Sequence, residues 1–109
     1  MQDEDVNNTV QLPISEINKL IHEPARLMIF SFLYVVESAD FTFLILQTGL
    51  TWGNLSAHIT KLENAGYIEV LKKFKNKKPN TMLSLTKKGR EAFDTYRNNM
   101  KQLFEDLPE

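Results

Sequence analysis

The sequence predicts a mainly α protein with one small β-hairpin, of the α+β class, folded as a single domain over residues 1–109. Three observations support this prediction. The length suits one domain, and the 42% hydrophobic and 25% charged residues are ordinary for a globular protein. Apolar residues recur at helical spacing in most of the chain. Two short apolar runs within residues 67–85 flank turn-forming residues, as the strands of a hairpin do.

The N-terminal half begins with a polar segment that is followed by two predicted helices. We expect residues 1–12 to be flexible, and apolar residues at helical spacing then predict a helix over residues 13–23. Its apolar stripe consists of Ile14, Ile17 and Ile21. Pro24 suits the first turn of a second helix, over residues 24–37, which is apolar almost all round. It should be buried on most sides, either as the central helix of the domain or as part of a subunit contact. Residues 38–40 are expected to be a break.

A helix, a glycine-containing turn and a second helix are predicted over residues 42–65. Asp40 or Thr42 can cap the first of these helices with a side-chain oxygen. Gly49 can adopt the left-handed conformation that ends a helix, and Thr51 can then cap the next one. This order is the layout of a helix-turn-helix.

The helix over residues 51–65 has two different faces. Leu55, Ile59 and Leu62 share one face and should be buried, whereas the other face is small and polar, which suits close approach to base edges. The candidate DNA contacts are Thr51, Trp52, Gly53, Asn54, Ser56, Ala57, His58, Thr60 and Lys61. The large ring of Trp52 can either meet a thymine methyl group or pack against the rest of the domain.

A lysine-rich hairpin, or wing, is predicted over residues 67–85, after a helix end at Gly66. Its connection, residues 72–80, contains turn-forming Pro79 and Asn80 and carries five lysines without an arginine. These are Lys72, Lys73, Lys75, Lys77 and Lys78. Five like charges so close together are unfavourable unless water solvates them or opposite charge neutralises them. The lysines therefore either contact phosphates or only make the hairpin soluble. A helix-turn-helix followed by such a hairpin is the layout of a winged helix-turn-helix.

The formal net charge of −1 hides an uneven distribution. Residues 1–50 carry two basic and seven acidic side chains, residues 51–101 carry eleven basic and four acidic ones, and residues 102–109 add three acids. The basic block therefore coincides with the second helix of the helix-turn-helix and with the wing, as expected for a nucleic-acid-binding surface.

The last helix is predicted over residues 86–107, capped by Thr86, with apolar residues at heptad-like spacing. They are Phe93, Tyr96, Met100, Leu103 and Leu107. This stripe either belongs to the core or needs a partner, and a second copy of the chain is the simplest partner. We therefore expect the helices over residues 13–23 and 86–107 to form a homodimer interface through the two apolar stripes.

Several classes of site and function are not expected. The chain has no cysteine, and the isolated His22 and His58 do not make a plausible zinc site. Because no nucleophile–base pair or phosphate-binding loop is recognisable, we expect neither a cofactor nor enzymatic activity, and so no catalytic or metal-binding residues. The apolar run at residues 27–36 is too short to span a membrane and the N-terminus is acidic, so a cytoplasmic location is expected.

Four groups of residues match one known pattern in order and spacing. They are Gly49-Leu50-Thr51-Trp52-Gly53-Asn54-Leu55-Ser56; His58 with Lys61-Leu62-Glu63; Ala65-Gly66-Tyr67-Ile68-Glu69-Val70; and Lys78-Pro79, Thr81 and Leu85-Thr86-Lys87-Lys88-Gly89-Arg90-Glu91-Ala92-Phe93. With them the chain resembles, from about His22 to Tyr96, the small stand-alone winged-helix transcriptional regulators related to the MarR and ArsR groups. It departs from their pattern in a more apolar segment at residues 43–47 and in the lack of arginine in the wing.

This resemblance implies a sequence-specific double-stranded DNA-binding regulator that acts as a homodimer through flanking N- and C-terminal dimerisation helices. Helix 51–65 would enter the major groove, and the wing would lie along the backbone or in the minor groove. Neither an effector ligand nor its site is indicated. The alternative is a winged-helix module for protein contact, or an accessory subunit, which the apolar segment 43–47 and the acidic ends of the chain support.

Overall fold

The computed structural model describes residues 12–108, and the tail predicted to be flexible lies almost wholly outside them, at residues 1–11. The described residues form four α-helices, a 3-10 turn and one three-stranded sheet, which confirms the predicted fold class. The elements are the 3-10 turn Ile14–Glu16, α1 Pro24–Val36, β1 Ser38–Asp40, α2 Phe41–Thr48, α3 Trp52–Asn64, β2 Ile68–Lys75, β3 Lys78–Leu85 and α4 Lys87–Glu105. None of these four helices is both long and apolar enough to cross a membrane.

The helix-turn-helix forms where the capping residues predict it. The side chains of Asp40, Thr51 and Thr86 each accept a hydrogen bond from a backbone N–H in the first turn of α2, α3 and α4, at 2.8, 3.2 and 2.9 Å. Gly49 closes α2 with a φ of 74°, and Gly66 turns the chain from α3 into the hairpin with a φ of 80°. Both angles lie in the left-handed region that favours glycine.

The N-terminal segment is not the helix predicted over residues 13–23. Only Ile14–Glu16 is helical, as a 3-10 turn, and irregular turns follow. The side chain of Asn18 accepts hydrogen bonds from the backbone N–H groups of Leu20 and Ile21. Such local side-chain bonds offer the backbone an alternative to the helix, which explains why the apolar spacing alone was misleading.

Residues 38–40 form the strand β1 instead of the predicted break. β1 pairs antiparallel with β3, with Ala39 opposite Leu83, and the sheet order is β1-β3-β2. Three residues are too few to display an alternating pattern, so only the tertiary pairing reveals this strand. The pairing fixes the wing to the start of α2, because Asp40 both ends β1 and caps that helix.

The hairpin has a tighter turn than the sequence predicts. Lys75 lies opposite Lys78, and Asn76 and Lys77 form a two-residue turn with φ values of 53° and 67°. Positive φ at both central residues matches the right-handed twist of the flanking strands. Strand pairing therefore runs through most of residues 72–80, and the longer connection predicted there is wrong.

The hydrophobic core forms around α1. Ile29, Phe30 and Leu33 are fully buried, and the Phe30 ring stacks on Phe93 at 5.5 Å and meets Tyr67 edge-on at 5.8 Å. Burying one such side chain contributes about 1.5–3 kcal/mol. The predicted inner face of α3 is buried as well, through Leu55, Ile59 and Leu62. As predicted, α1 is buried or half-buried on most sides, and its exposed residues are Pro24, Met28, Val35 and Val36.

The apolar stripe of α4 is divided between the core and the surface. Phe93 and Tyr96 are each only 6% exposed, and the Tyr96 hydroxyl lies 2.8 Å from Nδ1 of His22. Ile21 is fully buried. Ile21, Phe93 and Tyr96 were predicted to form a dimer interface. They are instead core residues of the protomer and have almost no exposed surface that a partner could contact. The other members of the predicted set are half-buried or exposed; they are Ile14, Ile17, Met100, Leu103 and Leu107.

Candidate nucleic-acid interface

The outer face of α3 is open to solvent along its whole length. Of the nine predicted contact residues, eight are exposed and His58 is half-buried. The exposed ones are Thr51, Trp52, Gly53, Asn54, Ser56, Ala57, Thr60 and Lys61. Because most of them are small, another molecule can approach the helix backbone closely along this face.

Trp52 packs against the rest of the domain but keeps most of its side chain exposed. Its ring stacks on that of Phe41, with centroids 5.1 Å apart and planes inclined by 29°. The side chain nevertheless remains 60% exposed. The contact with Phe41 restricts the orientation of the indole, so the open part of the ring is presented at the N-terminal end of α3 in a defined position.

His58 is engaged within the domain. Its Nδ1 lies 3.2 Å from Nη1 of Arg26, and a carboxylate oxygen of Glu23 lies 4.0 Å from the same ring nitrogen. A guanidinium group can only donate, so Nδ1 is the acceptor in this contact. Arg26 in turn donates through Nε to the carbonyl of Leu20 at 2.6 Å. His58 therefore connects α3 to the start of α1.

The hairpin has two faces that differ in character. Directly opposed residues of an antiparallel pair share a face, and successive pairs alternate between the faces. From the base of the hairpin to its tip, the pairs on the face that continues from the core are Ile68–Leu85, Val70–Leu83, Lys72–Thr81 and Phe74–Pro79. The opposite face carries Glu69–Ser84, Leu71–Met82, Lys73–Asn80 and Lys75–Lys78. All five predicted wing lysines are exposed, but they are distributed over both faces and the tip.

Phe74 is a prominent surface residue that sequence reasoning did not select. Its side chain is 78% exposed, near the tip of the hairpin and between Lys73 and Lys75. The signal that could have identified it is an aromatic residue within a run of lysines, since basic stretches with interleaved aromatic residues are common in nucleic-acid-binding surfaces.

The outer face of α3 and the hairpin meet at a cleft of about 360 Å³. It is lined by Phe41, Thr42, Trp52, Ser56, Pro79, Asn80 and Thr81. The cleft places two predicted contact residues of α3 beside the strand that leads to the wing tip. The helix and the wing thus border one continuous, open surface.

Contacts at the C-terminal end of α3 fix the angle between that helix and the wing. The Thr86 side chain donates to the carbonyl of Gly66 at 2.6 Å, and its backbone N–H donates to the carbonyl of Tyr67 at 3.0 Å. The ammonium group of Lys88 donates to the Ala65 carbonyl at 2.9 Å. A cation at a helix C-terminus is favourable because the last carbonyls carry partial negative charge.

A second polar cluster lies outside the predicted site, where α1 meets α4. The Tyr34 hydroxyl donates to the Asp94 carboxylate at 2.6 Å, and this hydrogen bond raises the pKa of Tyr34. The guanidinium groups of Arg90 and Arg97 lie 5.1 and 5.3 Å from the centre of the Tyr34 ring. No group of three or more metal-ligating side chains occurs within residues 12–108.

Comparison with known proteins identifies this architecture. A family model described as a winged helix DNA-binding domain matches residues 25–104. An uncharacterized protein of Methanocaldococcus jannaschii is 34% identical over 89 residues, which is 82% of this chain and 97% of that protein.

Solved structures agree with the family match. A transcriptional regulator homologue from Pyrococcus horikoshii has a TM-score of 0.78 at 29% identity, over 83% of this chain and 89% of that chain. A MarR-like transcription regulator from Bacillus cereus shares the fold with a TM-score of 0.61 at 22% identity, over 95% of this chain and 73% of that one. The chain therefore belongs to the winged helix DNA-binding domain family and has the fold of the MarR-like transcriptional regulators.

Proposed function

We propose that the protein is a sequence-specific, double-stranded DNA-binding transcriptional regulator that acts as a homodimer. The observation that carries this proposal is the continuous open surface formed by the outer face of α3, the cleft and the lysine-bearing wing. Family membership supports DNA binding in general, and the residue roles given next are argued from exposure and chemistry.

In this proposal α3 lies in the major groove, which is wide enough to admit a helix. Gly53, Ser56, Ala57 and Thr60 are small and exposed, so they allow the helix to come close to base edges. Trp52 offers an apolar surface for a thymine methyl group, and Lys61 offers a cation. Thr51 keeps its cap, and His58 acts by holding α3 on α1.

The wing supplies affinity through its charge. Its lysines are exposed, so they can meet phosphates on either side of a groove. Each neutralised phosphate on B-DNA contributes about −0.9 to the slope of log affinity against log salt concentration. Binding should therefore weaken steeply with salt.

Homodimer formation is supported by apolar side chains that the protomer leaves uncovered near the end of α4. Phe104 and Leu107 are exposed, Met100 and Leu103 are half-buried, and Ile14 of the N-terminal segment is 79% exposed. The two segments are linked by a hydrogen bond from the Asn99 side chain to the Glu16 carbonyl at 3.2 Å. A two-fold dimer on this surface would present two α3 helices to successive major grooves, about 34 Å apart.

Selection of bound sequences from random duplex DNA, followed by anisotropy titrations at two salt concentrations, tests the proposal. We expect enrichment of a pseudo-palindrome and a salt slope that corresponds to roughly 6–10 phosphates. Sedimentation should show a dimer at the concentrations used. Failure to bind any duplex, or binding that does not depend on salt, would contradict the proposal. Because the proposed ligand is double-stranded DNA, we also propose a cytoplasmic location.

A winged-helix module for protein contact remains the second candidate, because Val35 of α1 and Leu46 of α2 are exposed apolar residues. A variant with Lys75→Glu, Lys77→Glu and Lys78→Glu separates the two functions. It should lose DNA binding if the wing contacts phosphates, and it should keep partner binding if the domain serves protein contact alone.

A further inference from the structure

Phe74 contributes no buried surface to the core of the domain. At 78% exposure it is more open than Trp52, and it lies two residues before the turn that ends the hairpin. A large apolar ring in this place is unfavourable in water and adds little to the packing of the domain. Its place within a run of exposed lysines near the wing tip makes it a candidate contact for a binding partner.

The register of the hairpin gives Phe74 a rigid neighbour. Lys75 and Lys78 flank a two-residue turn, so they form the hydrogen-bonded pair that closes it, and Phe74–Pro79 is the next, non-hydrogen-bonded pair. Side chains of such pairs lie closest to each other. In such a pair the backbone N–H of residue 79 would point away from β2. A proline at this position therefore removes no hydrogen bond between β2 and β3. The side chains of Phe74 and Pro79 thus lie opposite each other on one face and form an apolar ridge near the wing tip.

The ridge faces the same side as the proposed major-groove helix. The Phe74–Pro79 pair belongs to the hairpin face that continues from the core, and Pro79 also lines the cleft beside Trp52 and Ser56. Lys72 shares the face of this ridge and Lys77 lies in the turn, whereas Lys73, Lys75 and Lys78 belong to the opposite face of the same hairpin; all five are exposed. An apolar ridge on a hairpin that carries five exposed lysines is complementary to a groove with apolar sugar walls and phosphate rims.

We infer that the Phe74–Pro79 ridge is the part of the wing that enters the minor groove, and that it selects A·T pairs at the positions it covers. The inference rests on the proposed function, and it assigns sequence preference to the wing as well as to α3. In the minor groove a G·C pair presents the guanine 2-amino donor, whereas an A·T pair presents only acceptors. An apolar ring cannot accept a hydrogen bond from that amino group, and covering it removes its water.

Base analogues that change only the minor groove test this inference. The starting duplex is a sequence that the wild-type protein selects. Each base pair that α3 is not proposed to contact is then replaced, one at a time. A·T to G·C replacement under the wing should weaken wild-type binding by about tenfold, which corresponds to the usual effect of one unfavourable base pair. Inosine·C, which lacks the 2-amino group, should restore binding, and 2,6-diaminopurine·T, which adds it, should weaken binding again.

The variant Phe74→Ala should bind all four duplexes with similar affinity, and Phe74→Leu should keep part of the preference because it stays apolar. Leu71→Ala is the matched control, since Leu71 is an exposed apolar residue of the same strand on the opposite face. It should leave the preference intact. Lys75→Ala should lower the salt slope by about 0.9 and also keep the preference. Circular dichroism checks that each variant is folded.

Two results would overturn the inference: wild-type binding that is insensitive to the 2-amino group, or a Phe74→Ala variant that keeps the full preference. These results differ from a failure of the proposed function, in which the wild-type protein binds no duplex at all.

Discussion

Gly89 in the first turn of α4 lies against the backbone of Tyr67, so closely that a Cβ at position 89 would overlap the Tyr67 carbonyl oxygen. That carbonyl also accepts the backbone N–H of Thr86. The start of α4 and the start of the wing are therefore in direct backbone contact, and only glycine leaves room for it.

Gly89→Ala should destabilise the domain by about 1–3 kcal/mol, the usual range for overpacking a tight site. Urea unfolding followed by circular dichroism measures this loss. Gly53→Ala is the matched control, because a Cβ at position 53 meets nothing within 4 Å. Alanine is favoured over glycine in a helix by up to about 1 kcal/mol, so the control should be as stable as the wild type or more stable. Equal stability of the two variants would contradict the close contact.

Thr51→Ala should destabilise the protein by about 1 kcal/mol, because it removes the side-chain acceptor for the Asn54 N–H at the start of α3. Thr60→Ala, at an exposed position of the same helix, is the control and should have little effect. Hydrogen exchange at the first turn of α3 provides a local readout. Unchanged protection there in Thr51→Ala would mean that the cap does not hold the helix end.

His58→Ala should lower stability, by about 1 kcal/mol for the lost contact with Arg26, and should weaken DNA binding only through that change. Lys61→Ala should have the reverse profile, with normal stability, lower affinity and a smaller salt slope. Unfolding and anisotropy titrations on both variants make the comparison. Loss of affinity in His58→Ala without loss of stability would place His58 among the direct contacts.

Alkaline pH should weaken the fold through Tyr96. Burial raises the pKa of Tyr96, so the folded state holds the phenol proton more tightly than the unfolded chain does. The stability that this provides is fully present below the unfolded value of about 10 and is lost as pH rises through the folded pKa. Tyr96→Phe should show a smaller loss of stability between pH 9 and about 11, measured by thermal unfolding. An unchanged pH profile would contradict this assignment.

Phe104→Glu combined with Leu107→Glu should convert a dimer into folded monomers, because both side chains are exposed in the protomer and serve no core contact. Sedimentation velocity gives the oligomeric state, and thermal unfolding confirms that the protomer still folds. Val35→Glu, at an exposed apolar position of α1, is the control and should stay dimeric. A double variant that remains dimeric would place the interface elsewhere.

Local chemistry made the helix-turn-helix predictable. Asp40, Thr51 and Gly49 act within one turn of the chain, so their roles can be recognised from neighbouring residues alone. The inner face of α3 was predictable for a similar reason, since three apolar residues at helical spacing define it.

Features that depend on distant segments were not predictable. Ile21 and Phe93 have the same spacing whether they face a core or a partner, and only the packing around Phe30 decides between these options. The exposure of Phe74 depends on the register set by a two-residue turn, which the sequence does not signal with glycine. In both cases the surroundings of an apolar side chain depend on strand register or on segments that are distant in the sequence.

Among residues 12–108, the sheet order leaves β2 as an edge strand, since β3 pairs with it on one side and none of these residues pairs with it on the other. An edge of eight residues with free N–H and carbonyl groups is a template on which another chain can add a strand and start aggregation. Lys72, Lys73 and Lys75 stand on this edge, and charged side chains of this kind discourage such pairing. The lysines proposed to bind phosphate thus also protect the protein from self-association, so variants that neutralise several of them should lose solubility as well as affinity.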